Sequence, residues 1–240
     1  MSLPGNPSDE TPRVLDSGNG DISTLFVSMA RRHPDGADAD YLRWHTLDHR
    51  PEQHRLHEVR ASLRLVSTPA CRAARAASRP PYDEIDHVMT YFFSAPSGLD
   101  GFLELSYALG DAGRKMLLLP PVERGVYDVR TRKAAPRVKV GADILPWWPV
   151  TGVYLILEGG PPTCGLIETD GVAGVWTATT ADVDPKMASA KPGQSITYCF
   201  LDDDPVTVAQ RLRPQFNDEN LLLAAPFHPV IPREWDRYVP

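Results

Sequence analysis

Four of the chain's seven histidines lie in one stretch, YLRWHTLDHRPEQHRLH, from Tyr41 to His57. An imidazole titrates near neutrality, so a histidine on a cavity wall can move protons without a cofactor. His45 and His49 are four residues apart, which puts them about 40° apart on an α-helix of 3.6 residues per turn. They fall at the rim of the apolar face, near Leu42 and Trp44, with Arg43, Thr46 and Arg50 on the opposite side. That placement suits a proton-transferring group facing a pocket. It suits equally a structural histidine bonded to a backbone carbonyl or to an acid such as Asp48. His49 is the first candidate acid or base, with His45 and Tyr91 behind it. Arg64 is the candidate for holding an enolate or carboxylate. Trp44 and His87 complete the expected ligand-binding set.

Other chemistries find less support. The spacing of His45 and His49 occurs in HExxH zinc helices, but Thr46 stands where that motif has its glutamate. No third ligand follows at a recognisable spacing, so no metal is expected. His87 and His228 are the histidines considered for haem, and neither has a local signature, so no cofactor is expected. Gly159 and Gly160 precede two prolines and read as a turn rather than a phosphate cradle. Asp202, Asp203 and Asp204 precede Pro205 and read as negative charge at a helix start. A Gly-x-Ser-x-Gly elbow is absent from the sequence.

The totals narrow the class further. A net charge of −6 and a pI near 5.6 argue against a general nucleic-acid binder. The arginine-rich span from Arg31 to Arg79 interleaves acids and reads as a solvated surface. Hydrophobic residues make up 42% of 240 residues, enough to bury a core. Cys71, Cys164 and Cys199 lack any CxxC spacing, which predicts reduced thiols and a cytoplasmic location. The N-terminus has no secretory pattern, and no apolar run approaches the ~20 residues that span a bilayer. Trp147 and Trp148, before Pro149, read as a packed or interface patch through which two chains could pair.

The elements that must position these residues are predicted as follows. Residues 1–20 form a loose tail. Ile22 to Ala30 is a strand with Leu25, Val27 and Met29 on one face and Phe26 and Ser28 on the other. Asp38 or Asp40 caps a helix that starts near Tyr41, breaks or kinks at Pro51 and resumes through Val59. Ala61 to Thr68 is a strand with Arg64 opposite Leu63 and Leu65, and His87 to Ser94 is another. Ser97 caps a helix that Gly110 ends. KMLLLPP is a short strand, and Val122 to Pro149 is an extended connection with strand character. The second half repeats the order with the first helix shrunk to GGPPTCG: strands over 152–159, 173–180 and 195–203, a helix from Pro205, and a closing strand.

The order β-α-β-β-α-β is that of a ferredoxin-like sheet. The helix bearing Trp44, His49 and Pro51 in WHTLDHRP, followed by the strand LRLV with Arg64, resembles the EthD-like branch of the dimeric α/β-barrel superfamily. The resemblance covers Leu25 to Leu119 and fades in the second half. It implies an α+β fold of two fused ferredoxin-like halves, the second degenerate. The expected divisions are 21–130, a connector over 131–150, and 151–240. The two sheets are expected to face each other across an apolar cavity. That superfamily includes cofactor-free monooxygenases, cyclases, lactone isomerases, haem-binding enzymes and proteins without known activity, so fold alone does not choose a reaction. The implied function is binding or transformation of a small hydrophobic or aromatic compound, by cofactor-free proton transfer or oxygenation. The alternatives are a non-catalytic binding or assembly module and a haem-binding barrel. No nucleic acid or membrane partner is expected.

Overall fold

The computed structural model describes residues 4–5, 20–114, 118–184, 187–216 and 219–239. The tail expected over 1–20 lies almost wholly outside the described residues. Runs of β-branched and aromatic residues pack well on a pleated surface, and they form nine strands among the described residues. These are β1 (Thr24–Ala30), β2 (Val59–Val66), β3 (Ala77–Ser78), β4 (His87–Phe93), β5 (Pro121–Ala134), β6 (Gly152–Glu158), β7 (Val172–Thr180), β8 (Ser195–Leu201) and β9 (Leu221–Pro229). Eight of them close an antiparallel barrel in the order β2-β4-β1-β5-β7-β8-β6-β9. β9 returns to β2 through Leu65↔Pro229 and Val66↔His228. The short β3 pairs another stretch of β9. Within each half the strands share one spatial order: second, third, first, fourth.

Period-2 alternation decides which side chains enter the barrel. Leu25, Val27 and Met29 of β1 point inward, as their spacing predicts, and so do Val88 and Phe92 of β4. Phe26, Met89, Tyr91 and Phe93 point outward. The space expected between the two sheets is packed instead with large rings. Trp176 meets Phe92 edge-on at 5.9 Å and Phe200 at 6.1 Å, while Tyr198 stacks on Phe200 at 6.2 Å. Such pairs add about 0.5–1.5 kcal/mol each beyond burial.

Helices cover the outer faces. The first starts as α1 (Asp38–Trp44), continues through a π-helical stretch His45–His49, and ends as α2 (Arg50–Gln53). Then follow α3 (Pro69–Ala73), α4 (Gly98–Asp111) and α5 (Pro205–Leu212). α4 packs Leu99 and Phe102 onto the outer face of the first half. α5 packs Val208, Ala209 and Leu212 onto the second. Asp204 caps α5 by accepting from the Thr207 amide at 2.8 Å, while Asp202 and Asp203 pair with Arg137 and Arg211.

Several local expectations are corrected. Pro51 does not break the first helix. Proline clashes with the carbonyl four residues back. Here the preceding turn widens, with Arg50 donating to His45 five residues back. The helix ends at Gln53, well short of Val59. It begins at Asp38, whose carboxylate makes no cap and is occupied elsewhere. Ser97 makes no capping side-chain bond. α4 runs past Gly110, and the left-handed residue beyond it is Gly113, at φ 71°. In KMLLLPP, residues 115–117 lie outside the described residues and 118–120 form no strand. The fourth strand of the first half is β5, inside the segment expected as a connection. It crosses the division expected at 130, pairing with β1 on one edge and β7 on the other.

Candidate functional site

A cavity of about 190 Å³ lies outside the barrel, between the sheet of the first half and its two helices. Its floor is the outward register of four strands: Phe26 and Ser28 from β1, Arg64 from β2, Met89 and Tyr91 from β4, and Arg124 at the start of β5. Its roof is Tyr41, Trp44, His45 and His49 from the first helix, with Phe102 and Ser106 from α4. Tyr107 and Leu118 line it while themselves largely exposed, so they form the rim.

Five of the six residues singled out in the sequence come together here: His45, His49, Tyr91, Arg64 and Trp44. The π-helical turn explains the company they keep. It inserts one extra residue, so groups five apart share a face, and such turns often occur at functional sites. Trp44 and His49 are five apart, and their rings stack at 5.2 Å with planes 28° apart. The wheel drawn for a regular α-helix misplaces this pair. The indole N–H of Trp44 donates to the carbonyl of Arg114 at 3.0 Å, tying the helix to the end of α4. His49 contacts the Gln53 amide at 3.4 Å, and Gln53 donates to Ser106 at 3.1 Å.

His45 sits deepest. It is 4% exposed, stacks on Tyr41 at 5.7 Å, and its Nε2 lies 3.4 Å from the Tyr91 hydroxyl. Its Nδ1 is buried without a hydrogen-bond partner. Burial above all, then the charges of Arg64, His49 and Arg50, hold it well below the ordinary histidine value of 6.5. His45 is therefore a neutral imidazole at neutral pH, able to accept a proton. Burial pushes the Tyr91 phenol well above its usual range, so it stays a neutral hydroxyl. The Arg64 guanidinium lies over the Tyr41 ring, 4.9 Å from its centroid.

His87 lies outside the cavity. It begins β4 on the same outward face, but its fully buried ring is covered by the start of α1, with Nε2 2.7 Å from Asp38 Oδ1. The same oxygen accepts from the His33 amide at 3.1 Å. The pair anchors the helix that carries the histidines. His228 stacks on Tyr238 at 4.7 Å. Trp147 is exposed, while Trp148 packs against the barrel core. Among the described residues no group of three or more His, Cys, Asp or Glu could hold a metal ion. Sequence reasoning missed Tyr41, Phe102 and Arg124 as lining residues. The outward register of Phe26 and Ser28 was readable from alternation. Arg124 was not, because its strand was read as a connection.

No protein-family model matches the chain, and no curated protein matches it. Solved structures do. A protein named as a candidate chlorite dismutase is 9% identical, with 91% of this chain and 99% of that one covered, at a TM-score of 0.50. A candidate monooxygenase from Fusobacterium nucleatum is 10% identical over 88% and 93%, at 0.48. An anthrone oxidase-like protein is 10% identical over 88% and 92%, at 0.43. At these identities the likeness is one of fold. The shared fold is here a closed eight-stranded antiparallel barrel within one chain. Among the described residues no helix is long and apolar enough to cross a membrane.

Proposed function

We propose that this chain binds a small aromatic compound in the cavity of its first half and moves a proton on it without a cofactor. One observation carries the reading: a deeply buried, neutral His45 stands beside the Arg64 cation in a cavity walled by aromatic rings. The ligand's ring would lie among Phe26, Tyr41, Tyr91 and Phe102, with an electron-rich oxygen held by Arg64. His45, on the cavity wall, would take the proton, and the Tyr91 hydroxyl, 3.4 Å from its Nε2, would steady the ring. His49, stacked on Trp44, would complete the wall. Cofactor-free oxygenation would share this deprotonation as its first step. The WHTLDHRP helix and the arginine-bearing strand support assignment to the EthD-like branch. The shared strand order of the two halves supports reading them as one ferredoxin-like unit duplicated within the chain. We assign the chain to the cytoplasm on its three free cysteines.

The packed barrel interior is what a purely structural module would also show. The lined cavity favours a ligand. Its volume of about 190 Å³ suits one substituted ring, by comparison with the ~150 Å³ that holds benzene, better than the four rings of a tetrapyrrole. The two histidines considered for haem, His87 and His228, already have partners.

Ligand-observed NMR against a panel of one- and two-ring aromatics tests the reading, followed by deuterium exchange from solvent into the bound compounds. Binding that is lost in Met89→Trp, and exchange that is lost in His45→Gln, are expected. Binding that survives Met89→Trp unchanged, or no binding at millimolar ligand, overturns it.

A further inference from the structure

The Nε and Nη2 nitrogens of Arg64 are buried and have no acceptor, in a residue only 3% exposed. These two atoms form the side edge of the guanidinium, which presents a pair of roughly parallel N–H bonds. Three other arginines of this chain use that same edge to grip a carboxylate with both oxygens. Arg60 holds Asp21 at 2.8 and 3.0 Å. Arg72 holds Asp86 at 2.6 and 2.5 Å. Arg137 holds Asp202 at 3.1 and 2.7 Å. Arg64 makes no ion pair among the described residues, and no Asp or Glu is among those lining its cavity. The nearby charges are of its own sign, from Arg50 and, at the rim, Arg124.

We propose that the ligand is a planar aromatic carboxylate paired with the guanidinium of Arg64, which turns its unpaired edge toward the cavity, with the ring of the ligand against Tyr41 and Tyr91. This rests on the reading of the cavity as a site for a small aromatic compound, and narrows it. A carboxylate supplies the two acceptors that the buried edge lacks and balances a charge that nothing in the cavity balances. The fork geometry selects a carboxylate over a single phenolate oxygen. The cavity volume selects one ring.

Calorimetric titration of the full chain with benzoate and with benzamide separates the two claims. Benzamide has the same shape, no charge and one oxygen. Benzoate is expected to bind about 10- to 100-fold tighter, the range for charge-assisted over neutral hydrogen bonds. In Arg64→Gln the two affinities should converge, because the charge that separates them is gone. Arg64→Lys keeps the charge without the fork and should fall between. Equal affinities in the wild-type chain overturn the carboxylate assignment and leave the aromatic site standing. A benzoate preference that survives Arg64→Gln also overturns it. If neither compound binds, both readings fail. Should Arg64→Gln not fold, the wild-type ratio and Arg64→Lys decide.

Discussion

Replacing Arg64 by methionine should make the ligand-free protein more stable. Arg64 is only 3% exposed, and two of its guanidinium nitrogens are buried without an acceptor. The effective cost of burying an ion in that state is several kcal/mol. The Tyr41 face, 4.9 Å away, offsets about 1–2 kcal/mol of it. Methionine keeps the contacts of the arginine stem and fills irregular space well. The balance is a gain of about 1–3 kcal/mol. For a chain of this size, each kcal/mol moves Tm by about 2–4 °C, so the melting point should rise by roughly 2–12 °C. Urea unfolding with an unchanged slope, together with scanning calorimetry, measures this. Benzoate at about 100 times the wild-type Kd should stabilise the wild-type chain by about 2.7 kcal/mol and Arg64→Met, at the same concentration, by only about 0.4–1.4 kcal/mol. A loss of about 1 kcal/mol or more in ligand-free Arg64→Met, at equal slope, would refute the picture of an uncompensated buried cation.

Three further outcomes test other parts of the structure. His45 has a folded-state value well below 6.5, so below pH 6.5 the unfolded chain binds more protons and stability falls as pH falls. His45→Gln should remove up to about 1.4 kcal/mol per pH unit of that fall between pH 6.5 and 5; unfolding curves that run parallel in both proteins would contradict the neutral buried imidazole. Asp38→Ala leaves His87 buried without its 2.7 Å partner and frees the start of α1, for a loss of about 3 kcal/mol in urea unfolding. A change under about 1 kcal/mol would show that the pair does not anchor the helix. In Gly125→Ala the new Cβ would lie 2.2 Å from the Tyr127 ring inside the barrel, costing about 1–3 kcal/mol. Shortening the neighbour in Gly125→Ala/Tyr127→Leu should make the two changes non-additive, and simple additivity in a double-mutant cycle would count against the clash.

Local pattern carried much of the architecture. Alternation in LFVSM placed Leu25, Val27 and Met29 inside and Phe26 and Ser28 outside, because a strand has only two faces. Most of the strands and the two longest helices were readable in order, because short connections and hydrophobic periods survive in a linear reading. The same alternation put Arg64 on the face opposite Leu63 and Leu65, and helical spacing put His45 and His49 near the rim of an apolar stripe. Other features needed the third dimension. The fourth strand of the first half is marked by its partners, β1 and β7, which lie far away in sequence; the letters of PVERGVYDVRTRKA carry strand character but neither the bounds of the strand nor its place in the sheet. The π-turn that stacks His49 on Trp44 depends on how Pro51 is accommodated within the packed helix. His87 and Arg64 start from similar letters, a basic residue on an outward strand face. Only packing gives one of them an acid, Asp38, and leaves Nε and Nη2 of the other buried without one. The sequence determined which side chains could share a face. The tertiary structure decided which of them are paired, because charge pairing depends on elements brought together across 49 residues of chain, as between His87 and Asp38.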